Sequence, residues 1–108
     1  MQLAKAYAIL GNGGNKIYPT LLKKNHEKEK EKVLSSETSS KINLMLRKVV
    51  ANKEGTANFA NIDGYDIGGK TGTALKSIDG VYSNKKINTF ISLFPTSRPE
   101  YVLLVLLD

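Results

Sequence analysis

The residues best suited to chemistry in this chain of 108 residues lie in one short segment around a lysine. Lys70, Thr71 and Thr73 supply an ammonium group and two hydroxyl groups, and Gly72 lies between the threonines. The ammonium group is a compact positive charge with three donors, and each hydroxyl can both donate and accept. Because glycine has no side chain, another molecule's backbone can approach the segment closely. The segment is therefore suited to bind a carboxylate or a phosphate against an extended backbone.

The same segment also fits a nucleotide-binding pattern. The residues from Gly64 to Thr71 match G-x-x-x-x-G-K-[ST], and Asp108 ends an apolar run that could supply a second nucleotide-site feature. Such a P-loop requires a buried strand before it and a helix that begins at the lysine. Residues 58–63 are too polar for a buried parallel strand, because they include Asn58, Asn61 and Asp63. The Thr71-Gly72-Thr73 sequence opposes a helix after the lysine, so the sequence context disfavours a P-loop. A small nucleotide-binding protein that uses Gly64–Thr71 and Asp108 remains the alternative function.

Two helices are predicted ahead of the lysine segment. Residues 2–10 carry apolar side chains at helical spacing, and a glycine-rich turn ends this helix. Its apolar positions are Leu3, Ala6, Tyr7 and Leu10. A second helix is capped by Ser35 or Ser36 and ends before a loop at residues 51–63, with Arg47 facing water. Its predicted buried stripe consists of Ile42, Met45, Leu46, Val49 and Val50.

Three extended segments predict a small sheet. They are residues 65–74, residues 87–94 and the continuously apolar residues 100–107. Asp79-Gly80 favours a tight turn after the first segment, and a proline-rich turn follows the second. Both connections are too short for the crossover that parallel strands require. We therefore predict an α+β fold in which two helices pack on a three-stranded antiparallel meander whose last strand is buried.

The composition excludes several classes of function. The net charge is +6, from 16 basic and 10 acidic residues, but the lysines are dispersed and many alternate with glutamate, so nucleic-acid binding is not expected. The chain has no cysteine, and its one histidine, His26, lies in the charged run 25–32, which predicts an exposed loop or frayed helix. No metal or cofactor is therefore expected. Neither a transmembrane segment nor a targeting segment is recognisable.

Residues 64–74 closely resemble the Lys-Thr-Gly strand of penicillin-binding transpeptidases of the cell-division type, class B, which are related to the serine β-lactamases. Residues 1–14 resemble the helix and glycine turn that come earlier in that family, and residues 33–50 its next helix. Gly55-Thr56-Ala57 resembles the loop after that helix, so the resemblance covers nearly the whole chain. It implies that this chain is part of a β-lactamase/transpeptidase-like fold.

The resemblance also implies roles for the lysine segment. The family's serine attacks the D-alanyl-D-alanine bond of a peptidoglycan stem peptide, or a β-lactam, and the resulting acyl-enzyme transfers its acyl group to a neighbouring peptide. By resemblance, Lys70 supplies the positive electrostatic field of the active site and hydrogen-bonds the serine of the family's second motif. Thr71 and Thr73 bind the substrate's terminal carboxylate, and Gly72 lets the substrate backbone approach. The backbone N–H of Thr73 is an implied oxyanion-hole donor.

Two of the family's three motifs are not found in the chain. No Ser-x-Asn occurs, and the one Ser-x-x-Lys considered, from Ser83 to Lys86, follows Lys-Thr-Gly and is predicted to lie in a turn, so it is not assigned as the nucleophile. Residues 1–108 are thus expected to be the carboxy-terminal part of a transpeptidase domain, without the closing helix and inactive alone. A truncated or decayed gene product with no present activity is a third interpretation.

The resemblance finally implies where the parent enzyme works and how this chain behaves alone. The parent is expected to be anchored in the inner membrane, with this domain in the periplasm, inside a membrane division complex. The sequence Gly-Lys-Thr-Gly-Thr-Ala at residues 69–74 favours a role of the parent in septation over one in elongation. Because the final apolar strand would lack neighbours from the rest of the domain, the isolated chain is expected to self-associate.

Overall fold

The computed structural model of the chain describes residues 1–22 and 31–108. These residues form helix α1 (Gln2–Gly11), helix α2 (Ser36–Ala51) and strands β1 (Gly68–Ile78), β2 (Val81–Phe94) and β3 (Tyr101–Leu107). A short 3₁₀ turn, Asn58–Ala60, lies in the segment that was predicted to be a loop. The predicted exposed segment 25–32 lies outside the described residues except at its last two positions.

The three strands form an antiparallel meander in the order β1-β2-β3, so the predicted α+β fold is confirmed. Asp79 and Gly80 close the β1–β2 hairpin with φ angles of +52° and +82°, the geometry of a two-residue primed turn. Such a turn matches the twist of the flanking strands, and pairing therefore continues to Ile78 and Val81. Both strands are longer at the turn than the sequence predicted.

The strand conformation of the lysine segment excludes the P-loop. Lys70 pairs with Ile91 inside a strand that continues from Gly68 to Ile78, where a P-loop would begin a helix. The carboxylate of Asp108 forms an ion pair with Lys76. The nucleotide-binding alternative that used Gly64–Thr71 and Asp108 is therefore wrong.

Helix α2 begins where the sequence predicted, but it packs on a rotated stripe. Ser35 caps it by accepting a hydrogen bond from the backbone N–H of Thr38 at 3.0 Å. Leu46 and Val50 are buried as predicted, whereas Met45 is 63% exposed. The buried stripe consists of Ser39, Asn43, Leu46 and Val50. Ser39 occupies it because α2 packs beside the end of α1, where the Ser39 hydroxyl donates to the backbone carbonyl of Leu10.

Helix α1 lies against the sheet without a buried residue of its own. Gly11 approaches the sheet closely, since an added Cβ would lie 3.2 Å from the side chain of Leu93 on β2. Of the predicted apolar positions, Tyr7 and Leu10 are half-buried, but Leu3 and Ala6 are exposed. The predicted helix is confirmed, and its predicted packing stripe is only partly used.

Strand β3 leaves much of its apolar surface open. Its apolar side chains are 40% to 66% exposed at five positions. These residues are Tyr101, Leu103, Val105, Leu106 and Leu107. The prediction of a buried strand is therefore wrong for this chain, whereas the expectation that the strand lacks neighbours to cover it is confirmed for the described residues. Among residues 1–22 and 31–108, no element pairs with the outer edge of β3. Self-association through this strand stays a prediction. No helix in the described part of the chain is long and apolar enough to cross a membrane.

Candidate active-site strand

Lys70 and Thr71 present an ammonium group and a hydroxyl group side by side on β1. The Lys70 Nζ atom donates to the Thr71 carbonyl oxygen at 2.8 Å and lies 3.4 Å from Thr71 Oγ1. Lys70 is exposed, and β1 is an edge strand of the described sheet. A positive charge and a hydroxyl at a free sheet edge can together bind one end of an anionic group. The structure therefore brings together two of the residues that the sequence selected.

Thr73 extends this polar surface along the strand. Its side chain and that of Thr71 lie on the same face of β1, because alternate residues of a strand do so. The Thr73 hydroxyl donates to Oδ1 of Asn88 on β2 at 3.2 Å, and the Thr71 and Thr56 hydroxyl oxygens lie within hydrogen-bond distance of each other at 3.3 Å. The sequence analysis assigned no role to Thr56 or to Asn88. Asn88 carries no local signal, because only the register of β1 against β2 places it opposite Thr73.

Gly72 has a structural reason to lack a side chain. A Cβ at this position would lie 2.6 Å from Thr89 Oγ1, and the Thr89 hydroxyl donates to the Gly72 carbonyl oxygen at 3.3 Å. The neighbouring strand therefore occupies the space that a larger residue would need. The approach of a substrate backbone at Gly72, which the resemblance implies, stays a prediction.

An ion pair attaches the start of β1 to its surroundings. Nε of Arg47 on α2 lies 3.2 Å from Asp66 Oδ1, and Arg47 Nη1 donates to the Ile67 carbonyl oxygen at 2.9 Å. The Ser97 backbone N–H donates to Asp66 Oδ2 at 2.7 Å, and Thr96 donates to the Asp66 carbonyl oxygen. The prediction that Arg47 faces water is therefore wrong. These bonds connect α2, β1 and the β2–β3 turn, and so they position the strand that carries Lys70.

Opposing effects determine the pKa of the Asp66 carboxyl. Partial burial raises this pKa, but the hydrogen bonds from Ser97 and the charge of Arg47 lower it by more, and the pKa lies below its usual value. A carboxyl with a lowered pKa stabilises the fold above the pKa of the unfolded chain. That stabilisation is lost as the pH falls through the folded-state pKa.

We expect Asp66→Asn to lower the free energy of unfolding by about 1 to 3 kcal/mol at neutral pH, because it removes the charged acceptor of several bonds. The difference in unfolding free energy between this variant and the unsubstituted protein should shrink as the pH falls through the range in which Asp66 becomes protonated. Denaturant unfolding between pH 7 and pH 3 measures both quantities. The exposed Asp63→Asn variant is the control for a lost surface charge. A difference that did not change with pH would contradict the assigned role.

The Ser-x-x-Lys sequence from Ser83 to Lys86 does not form a nucleophile site. Ser83 and Lys86 lie within β2, so the prediction of a turn at these residues is wrong. A strand, like a turn, is not the helix start that the family's nucleophile occupies. The residues that the structure describes contain no cluster of three or more His, Cys, Asp or Glu side chains that could hold a metal ion.

Comparison with known proteins identifies extensive similarity. The family model described as the penicillin binding protein transpeptidase domain matches residues 1–108. The chain is 32% identical over 109 residues to a probable peptidoglycan D,D-transpeptidase PenA of Neisseria flavescens, covering the whole chain and 27% of that protein. It is 44% identical over 88 residues to stage V sporulation protein D of Bacillus subtilis, covering 81% of the chain and 13% of that protein.

A solved structure agrees with these sequence matches. The chain superposes on the transpeptidase domain of Burkholderia pseudomallei penicillin-binding protein 3 with a TM-score of 0.89 and 33% sequence identity. The match covers 99% of this chain and 33% of the solved one. The similarity therefore includes the whole of this chain, while the chain spans a third or less of the length of each of these relatives.

Proposed function

The chain belongs to the penicillin-binding protein transpeptidase family, and we propose that residues 1–108 form the carboxy-terminal part of a transpeptidase domain. In this proposal the complete domain is a serine-type peptidoglycan D,D-transpeptidase that also binds β-lactams. The nucleophilic serine and the Ser-x-Asn motif are supplied by other parts of the domain. Residues 1–108 supply the Lys-Thr-Gly strand, which is β1, and are inactive alone.

The observation that supports this function best is the arrangement of polar groups on β1. The Lys70 ammonium lies beside the Thr71 hydroxyl, and Thr73 presents a second hydroxyl on the same face. A stem peptide ending in D-alanyl-D-alanine carries a carboxylate, as do β-lactams of the penicillin type. Two hydroxyl donors and one ammonium group match such an anion in charge and in hydrogen bonding. Thr71, Gly72 and Thr73 are therefore the proposed substrate-binding residues.

The reaction proceeds through an ester on the serine. The serine oxygen attacks the carbonyl of the D-alanyl-D-alanine bond, the C–N bond breaks, and the terminal D-alanine leaves with a proton. An amine of a neighbouring stem peptide then attacks the ester, forms the cross-link and returns the serine hydroxyl. In a β-lactam the broken amide is part of a ring, so the leaving nitrogen stays attached.

Two groups of this chain act on the reacting atoms in the proposal. Lys70 stabilises negative charge and hydrogen-bonds the second motif's serine, and the backbone N–H of Thr73 donates to the oxyanion. One such donor lowers the barrier by about 3 kcal/mol in related acyl transfers. We also propose that the complete protein is anchored in the inner membrane, with this domain in the periplasm, where it serves a division complex.

A fluorescent penicillin tests the function directly. A complete transpeptidase domain that carries residues 1–108 should become covalently labelled, and an excess of unlabelled penicillin should prevent the labelling. The chain of 108 residues should remain unlabelled, since it contains no serine in the nucleophile's position. A folded complete domain that resists labelling would contradict the proposal, as would an intact-mass adduct on Ser83 or another serine of this chain.

A further inference from the structure

Each threonine hydroxyl of the proposed carboxylate site already has a polar partner. The Thr71 and Thr56 hydroxyl oxygens lie 3.3 Å apart, where either hydroxyl can donate to the other, and Thr73 donates its hydrogen to Asn88 Oδ1 at 3.2 Å. A hydroxyl group has only one hydrogen, so Thr73 cannot donate to a carboxylate while it makes this bond, and Thr71 can do so only when Thr56 is the donor. A carboxylate accepts hydrogen bonds and cannot donate them. Binding a carboxylate at both hydroxyls therefore requires Thr56 to donate to Thr71 and the bond between Thr73 and Asn88 to reverse.

Lys70 limits where the hydrogen of Thr71 can point. An ammonium group only donates, so the Thr71 oxygen can only accept from the Lys70 Nζ atom 3.4 Å away. The hydrogen of Thr71 must then be directed either to Thr56 or to the substrate. If Thr56 donates to Thr71 instead, both lone pairs of Thr71 are used, and its hydrogen is directed to the substrate.

Thr56 and Asn88 are both residue types that can make this exchange. A threonine hydroxyl donates or accepts after rotation about one bond, and turning the asparagine amide by half a turn replaces Oδ1 with the donor Nδ2. We propose that Thr56 and Asn88 are positioning residues that donate hydrogen bonds to Thr71 and Thr73 when a substrate carboxylate binds. The inference rests on the proposed function, because it assigns the carboxylate to these two threonines.

The fold holds Thr56 in place. The loop that carries it is attached to the end of α2, since Asn58 Nδ2 donates to the Val50 carbonyl oxygen at 3.1 Å and Ala57 is only 4% exposed. Gly55 packs so tightly that an added Cβ would lie 2.1 Å from the Val49 carbonyl oxygen. A loop fixed in this way keeps the Thr56 hydroxyl within reach of Thr71.

The sheet holds Asn88. It pairs directly with Thr73 in the β1–β2 register, and opposite residues of an antiparallel pair have their Cβ atoms about 4.5 to 5.5 Å apart. At that separation the amide reaches the hydroxyl without distortion. The two partners thus belong to separate elements, a loop and a strand, and each can be tested independently.

The test compares two ligands in a complete transpeptidase domain that carries residues 1–108. One is a penicillin with a free carboxylate, and the other is the methyl ester of the same compound. The quantity is the ratio of their second-order acylation rate constants, which measures preference for the carboxylate. The carboxylate of Asn88→Asp can only accept, so it keeps the Thr73 hydrogen, and its negative charge repels the substrate carboxylate. This ratio should therefore fall about tenfold or more. Thr56→Val removes the donor that directs the Thr71 hydrogen to the substrate, so this hydrogen can turn to water and the ratio should fall about two- to tenfold.

Two conservative variants are the matched controls. Thr56→Ser and Asn88→Thr keep a group that both donates and accepts, and each should retain most of the preference for the carboxylate. Thermal unfolding of each variant measures any structural damage. The inference would be overturned if the acylation rate constants of Asn88→Asp and Thr56→Val fell equally toward both ligands. It would also be overturned if the ratio of the two rate constants stayed unchanged in these two variants. Failure of the proposed function gives a different result, because the unsubstituted domain would then react with neither ligand.

Discussion

Replacing Lys70 by methionine should lower the acylation rate constant of a complete transpeptidase domain about 10²- to 10³-fold toward penicillin. Methionine keeps much of the length of the side chain and removes the charge. The Lys70 Nζ atom lies against the Thr71 carbonyl and hydroxyl oxygens at 2.8 and 3.4 Å, so its charge acts where the substrate carboxylate and the oxyanion are proposed to lie. Stopped-flow measurement with a fluorescent penicillin gives the rate constant.

The matched control for Lys70 is another exposed lysine of the same hairpin. Lys85→Met removes the same charge from β2 and should leave the rate within about twofold, because charges exposed to water and far apart are screened. Lys70→Met itself should change the free energy of unfolding by less than about 0.5 kcal/mol, as is usual for an exposed side chain. Equal effects of the two substitutions would show that Lys70 acts only through the overall charge.

Replacing Gly14 by alanine should lower the free energy of unfolding by about 2 to 5 kcal/mol. Gly14 has a φ of +84°, where an alanine costs about 1 to 2 kcal/mol. An alanine Cβ would also lie 2.1 Å from the Leu34 carbonyl oxygen, and relieving such a contact costs about 1 to 3 kcal/mol more. The Gly14 carbonyl accepts hydrogen bonds from Val33 at 2.8 Å and Leu34 at 3.1 Å, so a shift would disturb the connection between α1 and α2.

Gly64 offers a matched comparison for Gly14. It has the same φ of +84°, but an added Cβ would meet no atom within 4 Å. Gly64→Ala should therefore cost only the conformational part, about 1 to 2 kcal/mol. Urea unfolding measures the loss of unfolding free energy for both variants in the same domain. The difference between the two losses is the cost of the contact with Leu34. Equal losses for the two variants would contradict the close packing at Gly14.

The elements of this fold follow from local chemistry. Asp79-Gly80 adopts the positive φ angles of a primed turn, and the two strands that it joins therefore pair with each other. The serine at position 35 caps α2, and Leu46 and Val50 become buried. The lysine segment could be selected because an ammonium group, two hydroxyls and a glycine are an unusual set within four residues. In such cases the determining interactions lie within a few residues of one another.

Only the tertiary structure decided which partners these residues have. Thr56 is 15 positions from Thr71, and Asn88 is 15 positions from Thr73, and no local pattern relates either pair. The register of β1 against β2 places Asn88 opposite Thr73, and the packing of the loop on α2 places Thr56 beside Thr71. Arg47 was predicted to face water, yet it pairs with Asp66 because α2 crosses the start of β1 there.

Burial also depended on what the chain packs against. The apolar sequence of β3 predicted a buried strand, but Leu106 and Leu107 are 57% and 66% exposed. Met45 was assigned to the core because of its apolar type, whereas Ser39 and Asn43 occupy the buried stripe of α2. Hydropathy measures how favourable burial would be, and the residue type therefore determines the tendency to be buried. Whether another surface lies opposite that residue depends on the arrangement of the elements, which the tertiary structure alone decides.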